Sequence, residues 1–462
     1  MHATKALIIA GTRSGCGKTT VTLALMAALV RRGLVVQGCK IGPDFIDPSH
    51  HQALTARPSY NLDSWMNGAQ GVAANAMRAL LHPPKPDILL IEGVMGLFDG
   101  AHDSDGNAST AEAARLLKLP VLLLLDANGL AQSAAAMAQG YISHMPELTF
   151  AGIACTQVGG HGHQNMLREA LHTLPVPLLG LLPKKDAPYL ASRQLGLVSV
   201  HEAPYSTVRR ANMADWIERN LDIDALLARL SGLDAHCGNA LYHGKSSGTD
   251  GNKCLIAHDA AFCFLYPELP QLLEEAGTRC IFFSPLEDAG LPEGDIVYVP
   301  GGYPELFAAR LAANVSMREA LRAFSRAGKP VYGEGGGYMY LMEEIQHAGE
   351  NWPMTGCLPL RCRLEGERAG LGYREVRPAC ASPLARQETM DTLVGRGHEF
   401  HYARVMHWPQ LPKLWRLADR KGQPLECEGA LVENTAGSWV HLAPHGAWPL
   451  WLNLLQHSGV RP

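Results

Sequence analysis

Ala6-Leu-Ile-Ile-Ala-Gly-Thr-Arg-Ser-Gly-Cys-Gly-Lys-Thr-Thr20 decides the first half of the fold. The apolar run Ala6–Ala10 reads as a buried strand, and Val21–Arg31 reads as a helix. Between them lies a glycine-rich turn. Such a turn at a helix N-terminus aims backbone N–H groups at an anion, and the helix dipole favours negative charge there. Gly11, Thr12, Arg13, Ser14, Gly15, Cys16, Gly17 and Thr20 form the cradle. Lys18 is placed to reach the β- and γ-phosphates, and the Thr19 hydroxyl to ligate Mg²⁺. The spacing Gly11-x₅-Gly17-Lys18-Thr19 is one residue longer than the standard phosphate loop. ATP and Mg²⁺ are the expected cofactors.

Working outward, apolar runs recur at Val35–Cys39, Ile88–Ile91, Val121–Leu125, Gly152–Cys155 and Leu178–Leu182, with helical patterns between them. Runs of this kind belong to a parallel sheet covered on both faces. Two acidic segments follow the second and third runs: Lys40-Ile-Gly-Pro-Asp-Phe-Ile-Asp47 and Glu92-Gly-Val-Met-Gly-Leu-Phe-Asp99. Ligands bind at the carboxyl ends of parallel strands, so Lys40, Asp44, Asp47, Glu92 and Asp99 are expected around the loop. Carboxylates there hold Mg²⁺ or orient the attacking group; Asp47 and Glu92, with Thr19, are the candidate metal ligands.

Residues 206–230 read as one amphipathic helix or two. Residues 231–252 are rich in Gly, Ser, Asn and Asp and read as a linker. A second alternating region begins at Cys254–Ala257 and continues through Cys280–Ser284, Ile296–Pro300 and Pro330–Tyr332 to the end. The expected organisation is a ligase domain over 1–230, the linker, and a second α/β domain over 253–462.

Composition excludes several classes. The chain has 462 residues, 47% hydrophobic and 18% charged, which suits a folded globular protein. A net charge of −4 speaks against a nucleic-acid binder. Eleven cysteines without a Cys-x-x-Cys pair suggest reduced thiols in the cytoplasm. The apolar runs are strand-sized, so neither a signal peptide nor a membrane span is expected. His161 and His163 lie in a glycine-rich loop and read as solvated; His50 and His51 are likewise not taken as metal ligands.

The second half turns on Val331-Tyr-Gly-Glu-Gly-Gly-Gly-Tyr-Met-Tyr-Leu341. It resembles the nucleophile elbow of class I glutamine amidotransferases, where a strand turns sharply into a helix and presents a cysteine. Gly335 stands at the cysteine's place. The phosphate loop resembles the dethiobiotin-synthetase-like branch of ATPases. Together with Asn61-Leu-Asp-Ser64, Pro300-Gly-Gly-Tyr-Pro-Glu305, Leu371-Gly-Tyr-Arg374 and Arg396-Gly-His-Glu-Phe-His-Tyr402, these segments resemble the cobyrinate (hydrogenobyrinate) a,c-diamide synthases over nearly the whole chain.

That resemblance implies ATP-dependent amidation of acetate side chains of a tetrapyrrole through an acyl phosphate. Lys18, Asp44, Asp47, Glu92 and Asp99 would serve nucleotide, metal and substrate. It further implies a C-terminal glutaminase with an oxyanion turn at Gly301, Gly302 and Gly336 and a catalytic His441. The missing thiol makes ammonia rather than glutamine the expected donor. Phe45 replaces the family's common tyrosine, and Thr156 stands where many members carry a base-contacting Asn. Ala443 and Pro444 replace a common His-Phe pair. His398 and His401 lie in a family motif and read as structural or substrate-facing. The motifs leave cobyrinate and siroheme or sirohydrochlorin open as macrocycles, and leave a homodimer open. From another class, Arg13 sits where partition ATPases carry a signature lysine, which keeps a non-catalytic ATP switch or a scaffold as alternatives.

Overall fold

The computed structural model describes residues 3–101, 108–193, 196–198, 200, 202–230, 232–233, 251–407 and 409–457. The chain divides into two compact units, Met1–Leu241 and Tyr242–Pro462. The division falls inside the expected linker, most of which lies outside the described residues. One part of it is placed: Gly232–Leu233 pairs antiparallel with Thr4 and Lys5. The first unit's sheet therefore extends past residue 230, beyond the expected domain end.

In the first unit, seven parallel strands lie in the order Tyr60–Leu62, Val36–Ile41, Ile88–Glu92, Thr4–Gly11, Val121–Asp126, Phe150–Val158 and Leu178–Pro183. The strands are apolar on both sides because both faces are covered. Leu7 and Ile9 pack into one core, and Ala6, Ile8 and Ala10 into another. The helices Lys18–Arg31 and Thr207–Asn220 pack on the first face. Residues 206–230 form two helices, Thr207–Asn220 and Ile223–Ala228, with Ser206 and Asp222 as side-chain caps.

Strand order explains the position of the site. The first strand is flanked by Ile88–Glu92 on one side and Val121–Asp126 on the other, so connections leave in opposite directions. A crevice forms outside the carboxyl ends at such a switch point. Lys40 pairs with Glu92, and Ile9 with Glu92, in the ladder registers. The edge strand Tyr60–Leu62 was not evident from sequence, since three residues give no readable period.

The second unit has a six-stranded sheet ordered Arg279–Phe283, Lys253–Ala257, Ile296–Val299, Val331–Glu334, Thr435–Ser438 and Ala430–Val432. Its first five strands are parallel and the last is antiparallel. The alternating α/β pattern does not persist to the C-terminus as expected. Two four-stranded sheets, largely antiparallel, occupy most of the segment from Glu344 to Ala418. Among the described residues, no helix is long and apolar enough to cross a membrane.

Candidate active sites in the two units

The phosphate loop forms where the sequence places it. The strand Thr4–Gly11 ends in the turn, and the helix starts at Lys18 behind Gly17, whose φ of 95° puts it in the left-handed region. Ser14 and Gly15 are exposed at the crest, while Cys16 is fully buried beneath it. Lys18 Nζ donates to the Arg13 carbonyl at 3.2 Å and to the Met95 carbonyl. Burial pulls the Lys18 ammonium below its ordinary pKa, the expected cost of holding a cation at the mouth of a dry loop.

Beside it lies a charged cluster. The Thr19 hydroxyl donates to Glu92 Oε1 at 2.6 Å and lies 3.5 Å from Asp47 Oδ2. Lys40 Nζ is 2.7 Å from Asp47 Oδ2 and 3.0 Å from Glu92 Oε1. Lys40 arrives from the ladder position opposite Glu92, and Asp47 from the first turn of the helix Ile46–Thr55. Burial alone would raise the Glu92 pKa; Lys40, His51 and Thr19 outweigh it and hold the carboxyl below its usual range. Burial would lower the Lys40 pKa, yet Asp47 and Glu92 push it up. Both members of the pair are thus charged.

Two other expected acids behave differently. Asp44 Oδ1 accepts from the amides of Ile46 (2.7 Å) and Asp47 (3.1 Å), so it caps the next helix. Burial, and then the neighbouring Asp47, raise its pKa to about 8. Asp99 is exposed, and its Oδ2 accepts from the Gly96 amide at 2.9 Å. It closes its own turn and does not join the Thr19–Asp47–Glu92 cluster. The Thr156 hydroxyl donates to the Cys16 carbonyl at 2.7 Å and is buried. In this structure Thr156 braces the loop from below.

Sequence reading missed three partners. His51 Nε2 lies 2.9 Å from Glu92 Oε2. Its signal was its place four residues after Asp47 on one helix, hence on the same face. Ser59 Oγ is 2.9 Å from His51 Nδ1. Asp126, at the carboxyl end of its strand, forms an ion pair with Arg13.

Among the described residues, no group of three His, Cys, Asp or Glu side chains is arranged to hold a metal. The phosphate-loop cluster offers two carboxylates and one hydroxyl. That set suits Mg²⁺, which takes hard oxygen ligands, few of them from protein and the rest from water and phosphate.

In the second unit the strand, bend and helix of the elbow are all present. Val331–Glu334 is the strand, Gly336–Leu341 the helix, and Gly335 between them has φ 50° and ψ −111°. An L-residue held there is strained, the usual price of exposing a nucleophile. A Cβ at Gly335 would lie 2.7 Å from both Cε1 and Nε2 of His441 and 3.8 Å from the Gly301 Cα. The His441 ring therefore occupies the ground a cysteine side chain would need. Gly301 admits the same ring: a Cβ there would meet His441 Cε1 at 2.2 Å. A Cβ on Gly336 would come within 2.8 Å of the Gly302 carbonyl, so the three glycines of the expected oxyanion turn are gathered around residue 335.

His441 pairs with His398 in the ladder, and their rings stack with centroids 5.3 Å apart. His398 Nδ1 lies 3.2 Å from the Tyr266 hydroxyl. Burial drops the His441 pKa to about 3, and that of His398 well below its ordinary value. Both rings are neutral at pH 7. Glu334, next to the elbow, accepts from the Tyr298 hydroxyl (2.8 Å) and the Leu442 amide (3.0 Å). Burial raises its pKa to about 8. His401 stacks on Trp439 at 4.3 Å, near the Arg374–Glu399 ion pair.

Comparison with known proteins agrees with this division. Residues 7–195 match the family described as CobQ/CobB/MinD/ParA nucleotide binding domain, and residues 253–447 match the CobB/CobQ-like glutamine amidotransferase domain. A cobyrinate a,c-diamide synthase of Syntrophotalea carbinolica is 40% identical over 443 residues, covering 94% of each chain. Hydrogenobyrinate a,c-diamide synthases of Agrobacterium fabrum and Rhodobacter capsulatus are 37% and 38% identical, covering 96% and 95% of this chain and 99% and 98% of theirs. With its nucleotide-binding unit and amidotransferase unit in the same order, the chain belongs to the cobyrinate/hydrogenobyrinate a,c-diamide synthase family of amide-forming ligases.

Proposed function

We propose that this chain uses ATP and Mg²⁺ to convert the a and c acetate carboxylates of a cobyrinate-type tetrapyrrole into amides, with free ammonia as the nitrogen source. The observation that carries the ligase half is the convergence of Thr19, Asp47, Glu92 and Lys40 at the helix N-terminus of the phosphate loop. A carboxylate is a poor electrophile. Transfer of the γ-phosphoryl group to it releases ADP and leaves an acyl phosphate; ammonia then forms the C–N bond, expelling phosphate and losing a proton. The first step brings anions together and demands neutralisation. Lys18 supplies one positive charge where the γ-phosphate would lie. Thr19, Asp47 and Glu92 would hold Mg²⁺, which supplies charge neutralisation between the phosphate oxygens and the carboxylate. Lys40 pairs with both carboxylates and helps to keep Glu92 ionised. The names of the relatives favour a cobyrinate-type macrocycle over siroheme or sirohydrochlorin.

Gly335 carries the nitrogen-source half. Glutamine hydrolysis needs a thiolate for the acyl-enzyme step, and glycine supplies none. The test measures amide formation with ammonium chloride and with glutamine, each with and without ATP. Amidation that needs ATP, proceeds with ammonium and stalls with glutamine is expected. Equal rates from both donors would sink the ammonia reading. Amidation without ATP would sink the ligase reading.

A further inference from the structure

His51 belongs to no part of the chemistry described so far, yet it is fully buried and bonded at both ring nitrogens. Its Nε2 faces Glu92 Oε2 and its Nδ1 faces Ser59 Oγ, each at 2.9 Å. An ionised carboxylate only accepts, so Nε2 carries the proton. In the neutral ring Nδ1 then accepts from the Ser59 hydroxyl, so Glu92 and Ser59 suit the same tautomer. Glu92 is divided accordingly: Oε2 is held by His51, while Oε1 meets Thr19 at 2.6 Å and Lys40 at 3.0 Å.

The backbone makes room for this arrangement. Gly38 lies in the strand Val36–Ile41 beneath the ring, and a Cβ there would sit 2.9 Å from His51 Cβ and 3.2 Å from its Cγ.

We propose that His51, oriented by Ser59, is a positioning residue that pins one oxygen of Glu92 and so presents the other to the Mg²⁺ that accompanies the nucleotide; this rests on the metal reading given above. Partners behind a metal ligand commonly change metal affinity by about 10–100-fold when removed.

The readout is nucleotide binding, measured with a fluorescent non-hydrolysable ATP analogue at increasing Mg²⁺ on the full chain. In His51→Leu the Mg²⁺ concentration for half-maximal binding should rise roughly tenfold or more. Affinity without Mg²⁺ should stay within about twofold, because the loop that cradles the phosphates is untouched. His51→Gln, which returns an N–H donor, should recover most of the loss. Ser59→Ala should shift the Mg²⁺ requirement in the same direction by a smaller factor, and it stands in if His51→Leu does not fold. An unchanged Mg²⁺ requirement in the folded variants overturns the proposal. So does a parallel fall in Mg²⁺-free affinity, which would mean general damage to the loop. A wild-type protein whose nucleotide binding ignores Mg²⁺ overturns the metal reading itself, and the proposal with it.

Discussion

The two units keep different things. At the phosphate loop the charged cluster is built: Lys40 pairs with both Asp47 and Glu92 within 3.0 Å, and Thr19 and His51 complete the shell around Glu92. At the elbow the backbone bend is complete and residue 335 is a glycine. Gly335 holds φ 50° and ψ −111°, the glycines close around it, and His441 is in place, but no side chain projects from the bend. The contrast teaches that a strained turn and the nucleophile it serves are separable. The turn is fixed by packing of a strand, a helix and a ring of glycines. The bend forms here with a glycine at its apex, so its geometry does not depend on a side chain at residue 335.

The sharpest way to break this comparison is to remove one group from each site. Lys18→Ala should lower ammonia-dependent amidation by on the order of 10²–10³ or more, as loss of a preorganised cation at the reacting phosphate does. His441→Gln should leave the same rate within about twofold, since a neutral ring with no thiol to activate contributes nothing to ammonia-driven chemistry. Steady-state amide formation checks both. A large loss in His441→Gln would show that the elbow still acts.

Gly335→Cys sharpens the comparison next. A cysteine must displace the His441 ring, which lies 2.7 Å from the new Cβ, and must accept a backbone conformation that costs about 1–3 kcal/mol. Unfolding of the variant in urea should show a loss of that size in the transition of the C-terminal unit. Glutaminase activity should return weakly, because ring displacement alters the thiol–imidazole geometry. Full activity without any loss of stability would mean that the ring moves freely. Gly335→Ala separates the terms, since it carries the strain without a thiol.

The last comparison is in pH. The His441 pKa falls to about 3 through burial, against about 6.5 in an unfolded chain. The unfolded state therefore binds more protons between those values. The stability tied to a neutral His441 is complete above pH 6.5 and is lost as pH falls toward 3. Glu334 works in the opposite sense: its pKa of about 8 makes stability fall as pH rises from 4.5 to 8. Denaturant titrations of wild type and His441→Gln at pH 7 and 4.5 should show the variant losing less stability on acidification. Equal losses would place the acid sensitivity elsewhere.

How far the sequence alone reached differs between the units. It determined the phosphate loop, the parallel sheet and the elbow, because each is written locally: a glycine turn between an apolar strand and a helix leaves few other readings. It also exposed the missing thiol, since one residue at one known place decides it. Tertiary structure alone decided which acids converge. Asp44, Asp47, Glu92 and Asp99 look alike in sequence, but helix capping claims Asp44 and a turn claims Asp99. Only ladder register sets Lys40 against Glu92, and only packing over Gly38 brings His51 and Ser59 behind it. The antiparallel sheets between Glu344 and Ala418 were illegible for the same reason. Apart from the hairpin of Glu344–His347 with Glu350–Pro353, their partly exposed strands pair across intervening segments, so local periodicity does not announce the sheets. Local patterns set elements and turns; the distances between side chains on different elements arise only when the sheet closes.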